Sequence, residues 1–328
     1  MAQNFRTYVG KRAVYVALTI FLILSFNFIL FRVMPGDPTR SVVPKGVAPD
    51  SDTFELLRHH YGLDQPKIVQ YFVYLDQLLH GDFGKSMSFL PGIPVQDILG
   101  PYLLNTLILA GFGTIISVIV GIYVGRLAAW KRGTPVDKVS SSFFLIFYSM
   151  PTFLFALIML TMAAKFVPEW PISGAYSETH HSMDLLSQLG DRLVHTLLPL
   201  AALVVETIAT FSIITRSSLV DVMTEEYMVT AVAKGLNSRQ ILEKHAMPNA
   251  MLPVVTVVAM NIGWILSGSI MIEIVFTYQG LGYLTYEAVF AEDYTLLQAA
   301  FMLEAVAVVI ANFGADLLLF YLDPRVKL

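Results

Sequence analysis

The sequence predicts an all-α integral membrane protein with six transmembrane helices, a helical outer loop and a polar hairpin on the cytoplasmic side. Three observations lead to this class. Of the 328 residues, 55% are hydrophobic and only 14% are charged, with a mean hydropathy of +0.64, whereas about a quarter of the residues in a soluble domain are charged. The apolar residues form six long runs, and one polar, helix-forming stretch separates two of those runs.

Each of the six apolar runs is long enough to cross a membrane, because a helix needs roughly 20 residues to span the hydrocarbon core. The first run resembles a signal sequence, but no small-residue cleavage site follows it, so we expect it to be retained as a helix. We divide the chain into a tail with the first helix (1–34), an extracytoplasmic loop domain (35–101) and a five-helix core (102–328). The runs are residues 13–33, 103–125, 139–164, 193–215, 254–276 and 296–321.

The distribution of charged residues predicts the side of the membrane on which each loop lies. With the N-terminus inside, thirteen of the 21 Lys and Arg residues lie in the inner segments, and 15 of the 25 acidic residues lie in the outer loops. Because cytoplasmic loops are enriched in Lys and Arg, both termini are predicted to be cytoplasmic and the outer face to be negative. The net charge of −4, without a basic stripe, argues against a nucleic-acid partner.

The first outer loop has a helical pattern of its own and contains a sequence similar to a phosphate loop. Apolar residues between Leu56 and Leu78 recur at helical spacing, which predicts a small helical cap. The segment GDFGKS, residues 81–86, has two residues between its first glycine and Gly-Lys-Ser, whereas a Walker A sequence has four. The chain is therefore not expected to hydrolyse ATP.

The polar stretch EYMVTAVAKGLNSRQILEKHAMPNAMLP, residues 226–253, predicts a helical hairpin. Its first helix is expected to end at Gly235, since glycine adopts the left-handed conformation at little cost. Asn237 or Ser238 then caps a second short helix, and Gln240 can complete a capping box with Asn237. On these grounds alone, an ordinary amphipathic loop at the membrane surface is an equal alternative.

Two prolines, Pro248 and Pro253, are expected to end the hairpin before the fifth apolar run. From Val229 to Pro248 the sequence reads V-T-A-x3-G-x9-H-A-M-P, which resembles the EAA loop of ABC importer permeases, E-A-A-x3-G-x9-I-x-L-P. The longer form is similar to the peptide/nickel permease family, and within it to the B-type membrane subunit of dipeptide and oligopeptide systems. Six further segments match this family in order: FRVMPGDP, YGLDQPKIVQY, GDFGKS, TRSSL, IEIVFTYQGLGYL and YLDPRVKL.

The chain departs from the pattern of this family at four positions. Val232 and Ile213 stand where such permeases often carry arginine, Gln279 stands where they have proline, and Val229 replaces the acidic residue of the short motif. The small residues and the glycine that shape the hairpin are unchanged.

The resemblance implies an ATP-driven importer in the inner membrane of a prokaryote. Two homologous permease subunits would form the pathway, two separate ATPase subunits would bind ATP and Mg²⁺, and an external binding protein would deliver peptides or, as the alternative, oligosaccharides. This chain would be neither an enzyme nor a cofactor carrier. Residues 216–253 would form the coupling loop that contacts an ATPase subunit, through Glu226, Tyr227, Thr230, Ala231, Ala233, Lys234, Gly235, Leu236, Asn237, His245 and Pro248.

Three residues inside the apolar runs are candidates for the pathway. Glu206 lies near the middle of the fourth run, where ionisable groups are costly, so it either faces the pathway and meets a cationic group or is a carboxyl bonded to a neighbouring helix. Met150 precedes Pro151, which predicts a static kink in the third run. Asn261 is expected to form an interhelical hydrogen bond rather than to bind a ligand.

Two other classes of function fit the sequence less well. A secondary transporter would show inverted repeats, and no internal repeat is found. An intramembrane enzyme would need a nucleophile with a base, or a set of metal ligands, within the spans, where His195 is the only histidine and lies at an edge. The pairs His59–His60 and His180–His181 lack a third ligand nearby, so no metal site is expected.

Overall fold

A computed structural model describes residues 5–33, 52–60, 64–267 and 270–322 of the chain. Within these ranges the backbone is helical apart from turns and one isolated antiparallel bridge between Lys85 and Pro94. This confirms the predicted all-α class. Residue 34, residues 35–51 and 61–63 of the expected loop domain, and residues 323–328 at the end of the last matching segment lie outside the described residues.

Two helices of the described ranges, Asp52–His60 and Lys67–Leu79, lie in the loop where apolar spacing predicts a helical cap. A 3₁₀ turn, His180–Ser182, precedes the helix that begins at Leu185. A π-helical turn, Ile241–Ala246, joins the helix that ends at Gln240 to the helix that begins at Met247. In chain order the helices are α1 Phe5–Val33, α2 Asp52–His60, α3 Lys67–Leu79, α4 Val95–Trp130, α5 Pro135–Ser149, α6 Thr152–Phe166, α7 Leu185–Met223, α8 Glu226–Ala233, α9 Ser238–Gln240, α10 Met247–Ser267, α11 Ile270–Val275, α12 Leu281–Phe290 and α13 Tyr294–Leu322.

Four helices in the described part of the chain are long and apolar enough to cross a membrane, namely α1, α4, α7 and α13. The pair α5 and α6 satisfies the same test when taken together, which brings the number of candidate spans to at most 5. The fifth apolar run, residues 254–276, is divided between α10 and α11, and residues 268–269 between them are not described. The helices therefore support a multi-pass membrane protein.

The third apolar run forms two helices instead of the single kinked helix expected from its sequence. Met150 has extended backbone angles, φ −84° and ψ 132°, because the ring of Pro151 disfavours the helical conformation of the residue before it. As a result α5 ends at Ser149, α6 begins at Thr152, and the two axes are bent by 102°. The expectation of a kink within one helix is therefore wrong.

α4 packs closely on α7 through a stripe of small residues. Gly113, Ser117, Gly121 and Gly125 recur at every fourth position, which places them on one face of α4. A Cβ atom added to Gly125 would lie 2.5 Å from the carbonyl oxygen of Ser212 in α7. Small residues of this kind let two helix backbones approach each other. This stripe was missed in the sequence, although its period of four residues was readable there.

Asp293, in the turn between α12 and α13, binds the loop that follows GDFGKS. Its Oδ2 atom accepts hydrogen bonds from the backbone N–H groups of Met87 (2.9 Å), Ser88 (3.0 Å) and Phe89 (3.1 Å), and from the hydroxyl of Ser86 (2.5 Å). Successive N–H groups that converge in this way form an anion-binding nest. The loop that resembles a phosphate loop therefore holds a carboxylate of the chain itself.

Glu273 is fully buried beside the N-terminal end of α12, the end opposite to Asp293. Its carboxylate accepts hydrogen bonds from the hydroxyl of Thr106 (2.9 Å) and the backbone N–H of Tyr283 (3.0 Å). A Cβ atom added to Gly280 would lie 2.4 Å from the Glu273 carboxyl carbon, so the glycine is needed for this close approach. Glu273 thus joins α4, α11 and α12.

Asn105 connects the loop before α12 with α7. Its amide donates to the carbonyl of Gln279 (2.8 Å) and accepts from Nη1 of Arg192 (2.9 Å). Gln279, which stands where the family pattern has proline, also accepts a hydrogen bond from the backbone N–H of Ala175 (2.6 Å). These bonds give Asn105 a structural role that joins α4 to α7 and to the loop before α12.

Candidate functional site

The candidate site is the hairpin formed by residues 226–253, and its first arm is α8. At the end of this arm the N–H of Lys234 donates to the carbonyl of Thr230 (3.1 Å), and the N–H of Gly235 donates to that of Val232 (2.9 Å). Gly235 then turns the chain with a φ of +75°. The predicted left-handed glycine at the end of the first helix is confirmed.

The second arm begins with the predicted capping box. Asn237 Oδ1 accepts from the N–H of Gln240 (2.9 Å), and Gln240 Oε1 accepts from the N–H of Asn237 (3.1 Å). The expectation that Pro248 and Pro253 end this arm is wrong, because α9 continues through the π-helical turn into α10, which contains both prolines. Pro248 comes directly after the π-helical turn.

The base of the hairpin is packed against the ends of α4 and α7. Met228 of the first arm and Leu242 of the second are 5% and 6% exposed, and both lie in one cluster with Ala129 of α4 and Leu219 of α7. Ala231 is also buried. The surface position expected for Ala231 is therefore wrong, since its methyl group is enclosed by the chain.

Ion pairs brace this base. Glu243 Oε1 accepts from Arg126 Nη2 of α4 (3.1 Å) and from Arg239 Nε of the hairpin (3.2 Å). The guanidinium of Arg239, followed by that of Arg126, holds the pKa of the Glu243 carboxyl below its usual range. Nearby, Arg216 Nε and Nη2 lie 2.6 and 3.0 Å from the two carboxylate oxygens of Asp137, which ties α7 to the start of α5. The hairpin is thus joined to the bundle by packing and by charge.

The outer surface of α8 is apolar and uncovered in the described part of the chain. Tyr227, Val229 and Val232 are 41%, 69% and 62% exposed. The sequence reasoning missed Val229 and Val232 as contact residues, although two β-branched side chains three positions apart on a short helix outside the apolar runs were the available signal. Among the other candidates, Leu236 and His245 are half-buried, and the exposed ones are Glu226, Thr230, Ala233, Lys234, Gly235, Asn237 and Pro248.

The three pathway candidates do not form one cluster of contacts. Glu206 Oε1 accepts a hydrogen bond from the hydroxyl of Thr152 at 2.5 Å, which links α7 to the start of α6 just after the bend. Met150 lies at the bend itself and is half-buried. Asn261 donates to the carbonyl of Val257 in its own helix (2.9 Å), so the interhelical bond expected for it is not the bond observed.

Comparison with known families and proteins identifies a family for most of the chain. Residues 117–328 match the family described as "Binding-protein-dependent transport system inner membrane component", and residues 5–91 match its N-terminal companion family. The oligopeptide transport system permease protein AppB of Bacillus subtilis is 32% identical over 306 residues, which cover 93% of this chain and 94% of that protein. The glutathione transport system permease protein GsiC of Shigella boydii is 33% identical over 321 residues, covering 98% of each chain.

A solved structure shares the fold of most of the chain. It is an inward-facing conformation of the MetNI methionine ABC transporter, with a TM-score of 0.55 at 18% identity. The match covers 69% of this chain and 97% of the other. At this identity the likeness concerns the fold alone.

Proposed function

Because the chain belongs to the family of binding-protein-dependent transport system inner membrane components, we propose that it is the permease subunit of an ATP-driven peptide importer. The proposal of peptide cargo rests on relatives that are named as oligopeptide and glutathione permeases and that align along nearly the whole chain. The subunit forms half of the translocation pathway. It spans the membrane six times, with both termini in the cytoplasm, residues 35–101 outside and the hairpin inside.

The complex contains a second homologous permease subunit, two ATPase subunits and an external binding protein. ATP and Mg²⁺ are bound by the ATPase subunits and not by this chain. The Glu206 carboxyl, close to the bend between α5 and α6, lines the pathway together with Met150 and Asn261. Its hydrogen bond to Thr152 couples the position of α6 to that of α7.

The observation that carries this proposal is the surface of α8. A short helix that exposes Tyr227, Val229 and Val232 to water loses the stabilisation that burial of these side chains would supply, so a partner that covers them is favoured. The base of the hairpin is braced by Glu243 and by the cluster around Leu219. A force on α8 therefore passes to α4 and α7 instead of deforming the hairpin. The surface therefore suits a rigid lever moved by an ATPase subunit.

Co-purification of the ATPase subunits tests this contact. In Val229→Asp a charge replaces an apolar side chain in the contact, and we expect the ATPase subunits to detach while the permease stays in the membrane. Leu79→Asp is the matched control, since Leu79 is 86% exposed at the end of α3, far from the hairpin, and it should retain them. Retention of the ATPase subunits by both variants would contradict the proposed contact.

The cargo is tested on the cognate binding protein. We expect di- or oligopeptides to raise its melting temperature, because a ligand that binds only the folded state stabilises that state. Oligosaccharides should leave the melting temperature unchanged. The opposite result would indicate that the cargo is an oligosaccharide and not a peptide. It would leave the proposed contact with the ATPase subunit unaffected.

A further inference from the structure

A cavity of about 630 Å³, lined by both charged and apolar side chains, lies at the end of the bundle opposite the hairpin. It is bounded by the C-terminal end of α1, by one side of α3 and by the loop that contains GDFGKS. A smaller cavity of about 50 Å³ adjoins it and shares Arg32, Tyr74 and Asp82 with it. The lining of the larger cavity includes the charged side chains of Arg32, Asp82 and Lys85 and the apolar side chains of Val69 and Val73.

Arg32 is the unusual residue of this cavity. It is half-buried, and within the described part of the chain no hydrogen-bond acceptor or carboxylate partners its guanidinium, in contrast to Arg12, which pairs with Asp316 at 3.0 Å, and to Arg216, which pairs with Asp137. A guanidinium carries five N–H donors. Those of Arg32 are available to a ligand that enters the cavity with acceptor oxygens.

The charges around the cavity define the anion that fits. Arg32 and Lys85 are positive, and Asp82 is negative, with its Oδ1 atom already accepting the N–H of Gly84 at 2.9 Å. The lining groups other than histidine thus carry one net positive charge. A ligand with a single negative charge and several acceptor oxygens matches this balance, and a bidentate contact with the fork of Arg32 gives the strongest geometry.

The position of Arg32 indicates the source of that anion. The residue lies at the outer end of the apolar run of α1, so its guanidinium lies where a membrane helix meets the headgroups. Ile29 of α1 is 54% exposed, and Val69 and Val73 of α3 line the cavity while remaining largely exposed. The cavity therefore has a charged interior beside an apolar surface, as a molecule with a phosphate group and hydrocarbon chains requires.

The contact between α1 and α3 brings this apolar surface to the level of the lipid. The hydroxyls of Tyr71 in α3 and Ser25 in α1 are 2.6 Å apart, and the rings of Phe28 and Tyr71 meet edge to face at 5.2 Å. Ser25 precedes Arg32 by seven residues, which is roughly 10 Å of helix. The side of α3 that packs on α1 thus lies against the outer end of the α1 span, beside the outer leaflet.

We propose that this cavity binds the phosphodiester group of a phospholipid, with Arg32 as the bidentate donor and Lys85 as the second cation. The acyl chains lie along Val69, Val73 and the exposed side of α1. Free phosphate shares the oxyanion chemistry, and the test below separates the two sources.

The test is native mass spectrometry of the purified transporter complex with added phosphatidylglycerol. Arg32→Gln should lower the affinity for the lipid by about tenfold, the effect of losing hydrogen bonds to a charged group. Arg58→Gln is the matched control, since Arg58 is outside the cavity and pairs with Glu55, and it should bind like the parent. If Arg32→Gln fails to assemble, Lys85→Gln, at an exposed position, should still lower the affinity several-fold.

Three results would overturn the proposal. Parental lipid binding by Arg32→Gln, or by Lys85→Gln where Arg32→Gln does not assemble, would show that the cavity does not hold the headgroup. Displacement of the lipid by an excess of inorganic phosphate would assign the site to a free anion. Equal loss of lipid in Arg58→Gln would show that the effect comes from the general charge of the loop.

Discussion

Gly235 combines a left-handed backbone with open surroundings. Its φ is +75°, and a Cβ atom added to it would meet no atom within 4 Å. Any side chain larger than hydrogen therefore strains the backbone without a clash inside this chain. What such a side chain would meet is whatever covers the hairpin in the complex.

Replacing Gly235 by Val tests whether a partner covers the hairpin at this residue. We expect strain of about 1 kcal/mol or more, a sharp fall in transport and near-normal amounts of permease in the membrane. Gly81→Val is the control, because Gly81 has a φ of +71° and equally open surroundings at the other end of the bundle. Similar transport by the two variants at equal expression would show that the hairpin does not couple ATP hydrolysis to transport.

The Glu206 carboxylate is a second test at the residue scale. Glu206→Gln keeps an oxygen that can accept the hydroxyl of Thr152 and removes only the charge, so the complex should assemble. We expect uptake of cationic peptides to fall more than uptake of neutral ones, because the attraction between opposite charges is lost. Equal reduction for both cargoes, measured with labelled peptides, would indicate that the residue serves only the contact with α6.

At the scale of elements, the close contact of α4 and α7 depends on glycine. In Gly125→Ala the new methyl group would lie 2.5 Å from a backbone oxygen of Ser212, which cannot rotate away. Overpacking of this kind should cost about 1–3 kcal/mol, seen as a lower melting temperature in detergent. Gly111→Ala in the same helix, where the methyl group meets nothing within 4 Å, should be neutral.

The nest around Asp293 joins two elements that are distant in sequence. Asp293→Asn keeps the shape of the side chain but removes the charge that four donors share, and we expect a loss of about 2 kcal/mol or more. Proteolysis at residues 82–94 should become faster. Glu292→Gln, at the exposed neighbouring position, should leave proteolysis unchanged, and equal sensitivity of the two variants would refute the role of the nest.

At the scale of the whole molecule, the absence of cysteine permits a direct test of topology. His80→Cys and Ser238→Cys place single thiols at exposed positions, one after α3 and one in the hairpin. A membrane-impermeant thiol reagent should label the first in intact cells and the second only after permeabilisation. Labelling of both from the same side would exclude the proposed orientation.

Local patterns in the sequence determined those features that depend on near neighbours along the chain. The helical class follows from hydropathy and apolar spacing. The hairpin follows from Gly235 and from the box of Asn237 and Gln240, whose hydrogen bonds span only three residues. The family follows from short motifs in the same order. Each of these depends on the backbone preferences of residues adjacent in sequence.

Only the tertiary structure decided which groups meet across the fold. It buried Ala231, carried α10 through Pro248 and Pro253, and set the angle of 102° between the two helices of the third run. It also placed Asp293 in a nest 204 to 207 residues away in sequence. Such contacts depend on how helices pack, and a proline breaks or continues a helix according to the groups that neighbouring elements supply to its freed backbone.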